Sequence, residues 1–215
     1  MWAQLAHPIC RMIQGDDCCN PEEEGRLVTE MVRAHHLDMT SLESGLTQIT
    51  KSPRDEGELC GIVIRPNTDE RARLEECELS PEGGVHGDNW SRNAWRRNED
   101  GSPSTEMQAS IINVRLLDLL AGSNEAWELA GDNLVVDFDL SVDYVSPGTR
   151  LTIGDALLEV TAEDHSGCSK FQARYGEDAL KFVNSDAGHR HNLRGVYAQI
   201  LKGAKVRVGD KVRRV

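Results

Sequence analysis

Hydrophobic positions in this chain follow a helical period at first and a strand period from Leu59 onward. In the first part, Asn20-Pro21-Glu22-Glu23-Glu24 reads as a helix start. Asparagine caps, proline suits the first helical position, and acids suit the positive end of the helix dipole. Leu27, Val28, Met31 and Val32 then share one face. Thr40-Ser41-Leu42-Glu43 has the form of a capping box, followed by a stripe of Leu42, Leu46 and Ile49 and by Pro53 past the end. Residues 20–52 are therefore expected to form a helical hairpin appended to the rest. Residues 1–19 have no period and are expected to be disordered.

Beyond this point Cys60, Ile62 and Ile64 alternate until Pro66, and the stretch from Leu74 to Leu79 suggests a partner strand. PEGGVHGDNW (81–90) must turn sharply. Residues 91–107 form a long polar loop, the kind that often carries function, and Arg92, Arg96 and Arg97 are candidates for meeting an anion there. Ala109–Ile112 reads as a strand, Asn113 as the cap of a helix to Leu120, 125–130 as a short helix, and Leu134–Leu140 as a strand. Gly154-Asp155 and Gly209-Asp210 each sit between alternating runs, 151–158 and 206–212, and predict two hairpins with type II′ turns. Residues 195–201 add a strand, and 169–184 look helical through Phe171, Tyr175, Leu180 and Phe182. Short strands with tight turns and brief helices predict a mainly β fold with interspersed helices, a barrel or sandwich over 59–215. Repeated strand–helix alternation and a glycine-rich phosphate loop are both missing, which argues against a dinucleotide-binding domain.

Charge adds one feature. The 215 residues carry 24 Lys+Arg and 36 Asp+Glu, net −12, which disfavours a nucleic-acid partner. Residues 151–215 nevertheless hold 11 basic and 8 acidic side chains, net +3, so a local anion site fits there even though the chain is acidic. No apolar run is long enough to span a membrane, and the N-terminal stretch lacks the pattern of a secretory signal, so a soluble cytoplasmic protein is expected. The six cysteines, Cys10, Cys18, Cys19, Cys60, Cys77 and Cys168, have no CxxC pair or zinc-ligand spacing and read as reduced thiols.

The stretch that carries chemistry is TAEDHSGCSKF (161–171). A strand ends, His165-Ser166-Gly167-Cys168 forms a loop, and Ser169 begins a helix. A thiol at a helix N-terminus is biased toward thiolate, the form that attacks and binds metals. Gly167 leaves room for a ligand near the backbone, and Lys170 and His165 would add positive charge. Cys60 and Cys77 lie in strand patterns and read as core.

Together with PEGGVHGDNW, AGDNLVVDFDLS (130–141), the 147–185 segment containing FVNS, and LRGVYAQILKGAKVRVGDKV (193–212), this stretch resembles the MOSC domain, named for the C-terminal domain of molybdenum-cofactor sulfurases. The resemblance covers about residues 59–215 and, more weakly, the hairpin from His36. It implies a MOSC-type β-barrel, similar to the pyruvate-kinase barrel, and a molybdenum cofactor of molybdopterin type. It assigns Cys168 as the catalytic residue and metal ligand or persulfide carrier. It suggests Asn113, Lys170, Arg174, Asn184 and Arg194 as residues that bind or shape the pterin site. Three readings stay open: an oxidoreductase acting on small N-hydroxylated substrates with electrons from a separate reductase, a sulfur or cofactor carrier, and a ligand-binding barrel with an inert cysteine. No pyridoxal-phosphate motif is present. The oligomeric state is open.

Overall fold

The computed structural model describes residue 34, residues 36–94, 96–122 and 124–215. The predicted disordered stretch 1–19 and the first helix of the predicted hairpin lie outside the described residues. The second helix is present as α1 (Met39–Ile49). Its N-cap is Asp38, whose carboxylate accepts from the Ser41 N–H at 2.8 Å, so the Thr40–Glu43 box lies inside the helix rather than at its start. Aspartate caps as well as threonine does, and it stands two residues earlier. Leu42 and Ile49 are buried, and Gly45 lets the helix lie close against Leu119.

Seven strands close a barrel. They are β1 (Gly57–Ile64), β5 (Ala109–Asn113), β6 (Leu134–Asp137), β7 (Arg150–Ile153), β8 (Ala156–Val160), β9 (Val196–Lys202) and β11 (Lys211–Arg214). Around the barrel they run β11-β7-β8-β9-β5-β6-β1, and Gly57↔Val212 pairing joins β1 back to β11. All neighbours are antiparallel except β5 and β6, which are parallel. Strand β1 serves two partners on one side. Its start pairs with β11 and its end with the short β2 (Ala72–Leu74).

The alternation along the strands places the core. On β8, Ala156, Leu158 and Val160 are buried inside, while Leu157 and Glu159 are half-exposed. The interior is filled by Leu59, Ile111, Leu134, Val136, Leu158 and Ile200 among others, each worth about 1.5–3 kcal/mol of burial. A second sheet, β10 (Ala204–Arg207), β3 (Glu76–Ser80) and β4 (Gly84–Val85), packs into the same core through Cys77, Leu79, Val85 and Val206.

The 151–158 hairpin is present, with Leu151↔Leu158 and Ile153↔Ala156 paired across Gly154-Asp155. Of the two turn residues only Gly154 has positive φ, +54°, as a type II′ turn requires. The predicted 206–212 hairpin is not one. β10 pairs with β3 and β11 pairs with β7 and β1, so Gly209-Asp210 hands the chain from one sheet to the other. Leu59 explains the switch: its carbonyl accepts from the Gly209 N–H at 2.8 Å and its N–H donates to the Asp210 carbonyl at 2.8 Å, which docks the turn onto β1.

The helices decorate the barrel. α2 (Trp90–Asn93) follows the glycine-dense turn. α3 (Val114–Ala121) is capped by the Asn113 side chain, which accepts from the Arg115 N–H at 2.8 Å, as its sequence predicts. The predicted 169–184 helix is two, α4 (Ser169–Tyr175) and α5 (Glu177–Val183), broken at Gly176 with φ +94°. A side chain on Gly176 would meet the His36 ring. A last helix, α6 (Asp186–Arg190), leads through Arg194 into β9.

Candidate functional site

A cavity of about 360 Å³ lies where the end of β1, the loop after β8, helix α4 and the start of β9 converge. This is within the range of small-molecule sites. Cys168, Lys170, Arg174 and Arg194 line it, together with Arg65 and Arg71.

Each side chain is placed by a local device. Thr161 anchors the loop after β8, its hydroxyl donating to the Glu106 carbonyl at 2.7 Å and its N–H to the Tyr197 carbonyl at 3.0 Å. Asn184, at the C-terminus of α5, clamps Gly167: its Oδ1 accepts from the Gly167 N–H at 2.7 Å and its Nδ2 donates to the Gly167 carbonyl at 3.1 Å. A Cβ on Gly167 would strike Leu180 and Val183, so the room at this glycine is filled by α5 and not left for a ligand. Cys168 is the N-cap of α4, with an exposed side chain. Partial burial works against its thiolate. The N–H groups of Phe171 and Lys170 and the charges of Arg194 and Arg174 outweigh that and hold the thiol below the ordinary cysteine range. Burial instead pushes Cys60 up to about 11 and raises Cys77 as well.

The cations fall into two sets. Arg65 and Arg194 are each matched by a buried carboxylate. Arg65 donates to Asp88 through Nε and Nη2, both at 2.9 Å, and Asp88 also accepts from the Trp90 N–H and from Asn133 Nδ2. The glycine-dense turn and the Gly131-Asp132-Asn133 segment thus meet behind the pocket. Burial pushes against the Asp88 anion, but Arg65 prevails and holds it below the usual carboxylate range. Arg194 donates to Asp132 at 2.6 Å and lies over the Phe171 ring at 5.2 Å. The second set is Arg71, Lys170 and Arg174. Lys170 and Arg174 share one carboxylate partner, Asp69, at 3.4 Å and 3.9 Å. Arg174 also donates to the Leu129 carbonyl at 2.8 Å, and Arg71 to the Glu70 carbonyl at 3.1 Å.

His165 stacks on Tyr197, with ring centroids 4.1 Å apart, and its Nε2 lies 3.6 Å from Asp132 Oδ1. Burial, reinforced by Arg194 and Arg65, lowers its pKa well below the histidine norm. It is neutral and does not add the positive charge its sequence position suggests. Four buried polar atoms at this pocket have no partner: Arg71 Nε, Arg194 Nε, Asp132 Oδ1 and His165 Nδ1. Such atoms are costly unless a ligand or water satisfies them.

Of the six residues singled out in the sequence, Cys168, Lys170, Arg174 and Arg194 share the pocket, while Asn113 and Asn184 do not line it. Asn113 caps α3 and donates to Ser52 and to the Phe138 carbonyl, both at 2.8 Å. Arg92 and Arg97 are spent on backbone carbonyls and Arg96 pairs with Glu163, so none of the three reaches the pocket. Sequence reading passed over Arg65 and Arg71. Their one local signal was that two arginines bracket a turn in an acidic stretch.

A metal-linked pterin fits this donor set. Among the described residues no cluster of three or more histidine, cysteine or acidic side chains is arranged to hold a metal. A metal held by the single soft thiolate of Cys168 would therefore take its other ligands from the bound group itself.

No curated protein matches the chain. Among solved structures, the YuaD protein from Bacillus subtilis superposes with a TM-score of 0.55 at 15% identity, over 74% of this chain and 96% of that one. A hypothetical protein superposes with a TM-score of 0.51 at 18% identity, over 75% of this chain and 69% of the other. At such identities the likeness concerns the fold alone. The family model described as MOSC domain matches residues 104–213, which hold five of the seven barrel strands in full and the cysteine loop with α4, and the chain belongs to the MOSC domain family.

Proposed function

We propose that the pocket binds a molybdenum cofactor of molybdopterin type, and that the protein reduces small N-hydroxylated molecules with electrons delivered by a separate reductase. The observation that carries this reading is the pairing of a thiolate-biased Cys168 with the charge-unbalanced set Arg71, Lys170 and Arg174 in one cavity. The thiolate suits a soft metal, and the cations suit the phosphate of the pterin. When bound, the group would supply two-electron redox chemistry. Removing one oxygen from an N-hydroxyl consumes two electrons and two protons and releases water. The chain's own residues would do the rest. Cys168 holds the metal. Asn184 fixes the loop that presents it. Arg174, Arg71 and Lys170 bind the anionic end. Neutral His165, with an unpartnered ring nitrogen in the wall, is suited to hydrogen-bond the bound group without adding charge.

The test is molybdenum and pterin content of protein made in a cofactor-competent host. Cys168→Ala is expected to lose the metal. Arg174→Ala is expected to weaken retention about 10- to 150-fold, the worth of one charged hydrogen bond, with Arg174→Lys recovering part of it. Arg214→Ala, at an exposed position of strand β11 away from the pocket, serves as the control. Wild-type protein without molybdenum overturns the reading. A second reading, persulfide transfer, is favoured by the exposure of Cys168. It is identified by a sulfur adduct on Cys168 in mass spectra of protein that holds no metal.

A further inference from the structure

Two of the three charge-unbalanced cations are not left open. Lys170 and Arg174 are bridged by a carboxylate from the loop that joins β1 to β2. In this loop the Glu70 N–H donates to the Asn67 carbonyl at 3.3 Å, and Asn67 Nδ2 donates to Glu70 at 2.7 Å, which makes a turn over residues 67–70. Asp69 occupies its third position with φ +62°. That position favours glycine or asparagine, and an aspartate there carries a conformational cost. The turn points Asp69 across the cavity mouth, toward Lys170 and Arg174 on α4. Asn67, Thr68, Asp69 and Arg71 all line the cavity, so the loop forms one of its walls. Deeper in, Arg65 and Arg194 already have Asp88 and Asp132. Asp69 is therefore the internal stand-in for whatever anion the outer cations receive.

We propose that the 66–71 loop is an anion-displaced strap: Asp69 neutralises Lys170 and Arg174 across the pocket mouth, and an incoming phosphate group expels it. The inference deepens the proposed function by naming how the anionic end of the ligand gains entry. It rests on that reading only for the identity of the natural ligand, since the strap itself answers to any phosphate. The displaced contact is weak, because Asp69 and Lys170 are 67% and 64% exposed at the side chain. It is therefore suited to yield to a dianion that engages all three cations, Arg71 with its unpartnered Nε included.

The experiment titrates cofactor-free protein with inorganic phosphate and follows backbone amides by NMR, in wild type and Asp69→Asn. Asparagine tolerates the left-handed turn at least as well as aspartate, so the variant removes the charge and keeps the loop. The expected result is phosphate affinity about 5- to 20-fold higher in Asp69→Asn, from the loss of one negative charge close to a bound dianion. In wild type, phosphate is expected to shift the amides of residues 66–71 and to speed their hydrogen exchange as the strap lets go. Equal affinity in the two proteins overturns the strap. So does the absence of phosphate binding in both, at equal melting temperature. Molybdenum content is measured separately, so a protein that loads metal but shows no Asp69 effect refutes the strap alone.

Discussion

Asn184 offers the sharpest test of how the cysteine loop is held. Its two hydrogen bonds to Gly167, 2.7 and 3.1 Å long, satisfy both backbone groups of the residue before Cys168. Asn184→Ala removes both. Each bond is worth about 0.5–1.5 kcal/mol net, so the pair is worth about 1–3 kcal/mol, and half-buried Gly167 is only partly rescued by water. For a protein of this size that corresponds to a fall in melting temperature of roughly 2–12 °C. Asn184→Asp keeps the acceptor for the Gly167 N–H and loses the donor to its carbonyl, and is expected to fall between. The second readout is local. With the clamp gone, Cys168 no longer sits in fixed register with the N–H groups of Lys170 and Phe171, and its alkylation rate near neutral pH is expected to drop toward that of an ordinary thiol. Cys60, on β1, is expected to react as before. Wild-type melting and a wild-type Cys168 rate in Asn184→Ala would refute the argument.

Further outcomes follow from the same geometry. In competitive alkylation with peptide mapping, Cys168 should react before Cys60 and Cys77, whose thiols burial holds in the protonated form; prior labelling of either would remove Cys168 as the activated thiol. Stability should fall as pH drops below about 6.5, because the unfolded chain protonates His165 and the native state does not; the slope reaches about 1.4 kcal/mol per pH unit, and His165→Gln should flatten it in urea titrations. Gly195→Ala should be severely destabilising, since φ is +95° and a Cβ there meets the Ile111 carbonyl oxygen, whereas Gly148→Ala, also at positive φ but in open space, should cost only about 1–2 kcal/mol by thermal melting.

What could be read from the sequence divides along physical lines. Local signals held where they rest on the residues beside them. Asn113 caps α3, Gly154 turns its hairpin, and Cys168 opens α4. Gly209-Asp210 carries the same local pattern as Gly154-Asp155 yet joins two sheets, because its partner is Leu59, far away in sequence. The site shows the same divide. Cys168, Lys170 and Arg174 fall within one loop and helix, and residue type and spacing bring them together. Arg65 and Arg71 lie far away in the sequence and reach the same cavity only through the tertiary fold. The two asparagines show a different limit: an amide that serves a ligand and an amide that serves the backbone look alike until the partners are seen.

Strand β1 has one more consequence, for synthesis. Its first residues wait for β11, the barrel strand made after all the others, and the opposite edge of the open sheet, β7, waits for the same strand. Until Lys211–Arg214 leaves the ribosome, a nascent chain that has formed the other strands carries two unpaired edges that are free to pair with other chains. The time spent in that form scales with translation speed and with the time β11 takes to insert. A slow codon run between β9 and β11, or a shortage of chaperone, should therefore lower the yield of native protein without changing the stability of the molecules that succeed.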